Sequence, residues 1–165
     1  MGSAHVAKGH MGPAQAQVEV IREAIADPTV DEANVGPSAA SHVLNLALHA
    51  LMGEIEEANG NLDMAIAHYG HAVGFQDGLS YTEPPDWNQS IRLYLGAALL
   101  DAGRADEAED VYLEDLQWNQ QNGWSTFGLY QALEAQGKEH EARVVKRQFE
   151  SFWRNADVEL TRSRI

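Results

Sequence analysis

LGAALLDAGRADEAEDVY, residues 95–112, decides the fold. Ile91, Tyr94, Leu95, Ala98 and Leu99 repeat at helical spacing. Gly103 then interrupts, and a new apolar phase begins on Ala108, Val111, Tyr112 and Leu116. Two more stretches align on that glycine: GNLDMAIAHYGHA from Gly60 and GKEHEARVVKRQF from Gly137. Each has an alanine five residues on, and these alanines, Ala65, Ala108 and Ala142, are spaced 43 and 34 residues apart. The second spacing is the length of a helix-turn-helix repeat. The first is nine longer, and the excess falls in GFQDGLSYTEPPDW, which has two prolines and no helical period.

The chain thus reads as antiparallel helix pairs, with helices near 39–58, 62–74, 87–102, 105–118, 124–136 and 139–153. Gly60, Gly103 and Gly137 supply the left-handed turn inside each pair, and Ser38 and Asp86 are the expected N-caps. Gly53 and Gly96 in the first helices, and the three alanines in the second, leave room for close packing. Residues 4–27 read as a degenerate first pair turning at Gly12 and Pro13, followed by a loop with Pro28 and Pro37. Met1, Gly2 and Ser3 are set aside as vector-like. The organisation expected is one domain over residues 1–165: the degenerate pair, repeats at about 39–74, 87–118 and 124–153, and a tail at 154–165.

Leu95, Gly96, Leu99, Gly103, Ala108 and Tyr112, echoed by Gly53, Gly60, Ala65, Tyr69 and Ala72, resemble the tetratricopeptide repeat. Residues 42–165 also resemble the C-terminal part of longer, mostly uncharacterised bacterial proteins of that type, through YTEPPDW, NGWSTFGLYQALEAQGKEHEA and ADVELTRSR. Ser90 and Gln120 stand where that family usually has proline. The resemblance implies an all-α, right-handed superhelical solenoid that is a section of a longer protein. It also implies a concave groove, lined by the first helices, that binds a peptide or protein segment.

On that reading the groove residues are Ala50, Glu54 and Glu57, then Leu93, Ala97 and Asp101, then Trp124, Phe127, Gln131 and Glu134. This face is acidic and apolar, and it lacks the Lys, Arg and Asn of the carboxylate-clamp members. The expected partner segment is therefore apolar with some Lys or Arg, anchored by Trp124 and Phe127. Self-association is a further expectation.

Composition narrows the classes. Eleven Lys and Arg against 25 Asp and Glu give a net charge of −14, which argues against nucleic acid and anionic membranes as partners. The charge is uneven: from Lys138 onward seven cations meet five acids, a net of +2, so residues 1–137 carry −16. Complementing the dipole of the last helix is the expected role of those cations. With no cysteine, thiolate chemistry is excluded. No long apolar run occurs, so the chain is expected to be soluble, cytoplasmic by default or periplasmic if an N-terminal portion is missing.

Seven histidines raise a divalent-metal alternative. His68 and His71 are three apart and His42 and His49 seven apart, so each pair shares a helix face, but two ligands make a weak site. No tight metal and no cofactor are expected. No nucleophile elbow, phosphate loop or H-E-x-x-H occurs, so no enzyme activity is expected either.

Overall fold

The computed structural model describes residues 1–164. It is mostly helical, with α1 (Gly2–Ala7), α2 (Met11–Ala26), α3 (Ala40–Ala58), α4 (Leu62–Asp77), α5 (Arg92–Asp101), α6 (Ala105–Trp118), α7 (Gly123–Ala135) and α8 (Glu139–Trp153). A 3-10 turn at Pro28–Glu32 and a two-residue hairpin, β1 (Asn34–Val35) with β2 (Ser38–Ala39), fill the segment before α3. The contacts divide the chain into two compact units, residues 1–91 and 92–164. Among the described residues no helix is long and apolar enough to cross a membrane.

Each helix pair closes on one kind of turn. Gly60, Gly103 and Gly137 have φ of 81°, 74° and 73°, values that only glycine adopts without a Cβ clash. At each, the glycine N–H donates three residues back and the next N–H five back: Asn61 to Glu56 O, Arg104 to Leu99 O and Lys138 to Leu133 O, at 2.8–3.0 Å. This arrangement satisfies carbonyls left open at the helix end.

The first pair uses the same turn, and here the expected boundary needs correcting. It lies at Gly9 (φ 71°), with His10 N–H donating to His5 O at 2.8 Å, and not at Gly12 and Pro13. Gly12 and Pro13 instead sit in the first turn of α2, where the proline's missing N–H costs nothing. Ala14 then stands five residues after its glycine, as Ala65, Ala108 and Ala142 do after theirs, and all four are buried. Ala14, Val18, Leu48, Leu51 and Ile55 form a core cluster in the first unit, with Val6, Ile21, Ile25 and Met52 packed on it.

Two pairs share a second device. The ring of Tyr69 lies where a Cβ on Gly53 would be, and the ring of Tyr112 where a Cβ on Gly96 would be, the same offset of 16 residues each time. Tyr112 also fills the space over Gly128, so two glycines of neighbouring helices frame one fully buried ring.

Both expected N-caps are otherwise engaged. α3 begins at Ala40 without a side-chain cap. Ser38 lies in β2 and donates to Asp86 at 2.8 Å, while its oxygen accepts from Ser80 N–H at 3.1 Å. The two residues therefore tie the hairpin to the loop after α4. α5 begins at Arg92 and not at Trp87, because the preceding backbone is tied to Gln76, which donates to Gln89 O at 2.9 Å and accepts from Ile91 N–H at 2.8 Å. Tyr81, in the same loop, is exposed.

Candidate functional site

The expected groove draws residues from both units. In the first, Ala50 is buried and offers no surface, a correction to its assignment. The cause is that α3 carries α1 and α2 as well as α4. Glu54 accepts from Ser3 Oγ at 3.0 Å and Glu57 from the Tyr69 hydroxyl at 2.8 Å, so both carboxylates serve internal bonds. A cleft of about 430 Å³ between α2 and α3 is lined by Val18, Met52 and the Arg22–Glu19 pair, among others.

In the second unit, Leu93 and Ala97 are buried and so are not groove-facing side chains. Trp124 and Phe127 are half-buried and lean on α8. Trp124 meets Trp153 edge-on at 5.2 Å, Phe127 meets Phe149 at 5.1 Å, and Gly123 makes room for Trp153. They therefore form an α7–α8 seam instead of open anchors. Glu134 is exposed and hydrogen-bonds Tyr130, whose phenol is pushed up to about 12 chiefly by that bond.

What lies across α5, α6 and α7 is the tail itself. Ser163 is fully buried; its hydroxyl donates to Leu93 O at 3.1 Å. Its single proton being so used, it accepts from the Tyr112 hydroxyl at 2.6 Å. Burial raises the Tyr112 phenol well above its ordinary range, which keeps it a donor. Arg162 pairs with Asp101. Thr161 O accepts from Gln131 Nε2 at 3.2 Å, and the Arg164 guanidinium lies 5.0 Å from the Tyr94 ring centre. Leu160 is buried, and the turn into the tail is fixed by Trp153 Nε1 donating to Val158 O at 2.7 Å. Leu93, Asp101 and Gln131, three of the expected groove residues, are thus held by residues 161–163 of the same chain. Arg162 and Arg164 are used here, and of the remaining cations Arg154 stands at the C-cap of α8, whose last turn contains none.

Sequence reasoning missed one further polar centre, Asp115, which is 1% exposed on α6. It accepts from Ser125 Oγ, from Asn119 Nδ2 at 2.9 Å and from Asn122 Nδ2 at 3.2 Å, and so pins the α6–α7 turn in which Gln121 takes φ 62°. A signal was present. Asp115 follows Ala108 by seven residues and Tyr112 by three, which places it on the buried face.

The histidines regroup across α3 and α4. His49 Nδ1 lies 3.1 Å from His68 Nδ1, and the His49 and His71 rings are 5.0 Å apart; His42 and His49 both contact Phe75. Sequence spacing paired His68 with His71 but had no means of adding His49 from the other helix. Among the described residues, no group of three or more His, Asp and Glu is arranged to hold a metal ion.

No family model and no curated protein matches this chain.

Burial and the neighbouring histidines hold His49 below the ordinary imidazole value of 6.5; His68 is lowered too, again chiefly by burial, with Glu56 opposing and His71 and Arg22 adding to the shift. The unfolded chain therefore binds more protons than the folded one just below pH 6.5. Stability is whole above that value and falls as pH drops through the depressed folded values. Urea midpoints at pH 7.5 and 5.5 should show this fall, and His49→Gln with His68→Gln should flatten it. An equal fall in the double variant would place its origin elsewhere.

Proposed function

We propose that this chain is a protein-interaction module of the tetratricopeptide type, a helical solenoid section that holds a segment of a partner protein on the α5/α7 face. The observation that carries this reading is the tail: that face already holds a non-helical segment, bent at residues 161–163, through a buried hydroxyl, a guanidinium–carboxylate pair and a cation over an aromatic ring. The common glycine turn of the four pairs and the matched Gly53–Tyr69 and Gly96–Tyr112 packing support the repeat assignment. The net charge of −14 favours a basic protein segment over nucleic acid or a membrane surface. We assign the chain no catalytic role and no cofactor. The histidine alternative ranks second, because the Nδ1 atoms of His49 and His68 face one another instead of a common point.

Selecting a random peptide library against the full chain tests the reading, with Asp101→Arg as the counter-target. Peptides carrying Arg or Lys beside aliphatic residues, enriched on the native chain and lost on the variant, are expected. Enrichment of nothing, or of peptides indifferent to Asp101, would reject the α5/α7 face.

A further inference from the structure

We propose that residues 158–164, VELTRSR, are an internal ligand of the α5/α7 face, and that the face takes in trans a segment of the same chemistry: an aliphatic residue followed by a small hydroxyl residue set between two arginines. This rests on the interaction-module reading.

Each feature of that segment meets its own complement. The hydroxyl is the most selective element, since Ser163 sits between a donor, Tyr112 OH, and an acceptor, Leu93 O, with none of its surface exposed. A larger side chain has no room there, and an alanine would leave both partners without their bond. The two flanking guanidiniums diverge, one to the Asp101 carboxylate and one to the Tyr94 ring. Two residues before the first arginine, Leu160 supplies the apolar contact. The attachment is modest in strength, because the Arg162–Asp101 pair is about half exposed. A modest internal ligand is one that a partner can displace.

Tethering sets the size of the effect. A short linker presents its ligand at an effective concentration of about 1 mM, so for an intrinsic Kd of about 100 μM the attached tail weakens a competing peptide roughly tenfold.

The test uses the full chain in three forms: native, Ser163→Trp, and Arg162→Glu with Arg164→Glu. The probe is fluorescein-labelled DVELTRSR, read by anisotropy, with hydrogen exchange at residues 158–164 reporting tail release and circular dichroism reporting the fold. The double charge variant keeps the test open if the tryptophan variant fails to fold. Both variants are expected to lose tail protection and to bind the probe roughly tenfold more tightly than the native chain. Adding Asp101→Arg to the charge variant, or replacing the probe's serine by phosphoserine, should abolish binding.

A released tail with no gain in probe affinity would overturn the proposal and leave the segment as a structural clasp. So would a tail that stays protected in both variants, or a probe with both arginines changed to glutamate that binds equally well. If the library peptides bind the charge variant through Asp101 while DVELTRSR does not, the internal-ligand proposal fails and the interaction-module reading survives. If neither binds, both fail.

Discussion

Tyr112→Ala should lower the stability of the second unit by about 3–5 kcal/mol, the range for removing a large buried ring. The ring is fully buried and is framed by Gly96 and Gly128, so its loss opens a hole between two helices that glycine cannot fill from either side. Against a typical total of about 5–15 kcal/mol, that is enough to populate unfolded chain at ambient temperature. Tyr112→Phe separates the two jobs of the side chain. The ring stays and the hydroxyl goes, so the cost should be only about 1 kcal/mol, with increased exchange confined to the tail around Ser163. Urea melts of both variants, followed by circular dichroism, check this. A Phe variant as unstable as the Ala variant would mean that the hydroxyl and not the ring holds the core.

The second large effect is expected at Asp115. Asp115→Ala leaves Ser125, Asn119 and Asn122 facing a void where a buried carboxylate accepted all three, at a cost of about 3 kcal/mol. Asp115→Asn should fall between, because its amide offers one acceptor and turns one donor toward another donor. The loss should appear first as faster exchange at the α6–α7 turn, residues 119–123. A stable Ala variant with an unaltered turn would show that Gln121 is held in its φ of 62° by backbone alone.

Which parts of this molecule could be read from sequence follows from how local their causes are. A left-handed glycine with an alanine five residues later is a signal contained in a few positions, and it placed three turns correctly. It would have placed the fourth, at Gly9, had Gly12 and Pro13 not presented the stronger breaker pair; proline in a first helical turn breaks nothing. Ser38 and Asp86 have the chemistry of N-caps, yet they bond each other across 48 residues, which no local pattern encodes. Assigning the groove from helix phase selected Leu93, Asp101 and Gln131, but the same logic supplied Trp124 and Phe127 as anchors without knowing that α8 offers Phe149 and Trp153 to cover them. The tail had no period at all. Its partners are brought to it only by the fold.

Order of synthesis gives that tail one more consequence. Ser163 closes on Leu93 across 70 residues, so this bond cannot form until the chain between them has been made. At about 5–20 residues per second, roughly 4–14 s separate the two additions. Throughout that interval α5, and then α7, can be present on a nascent chain with nothing yet laid across them. A partner meeting the growing polypeptide therefore finds the face vacant, whereas one meeting the finished protein must first evict its occupant.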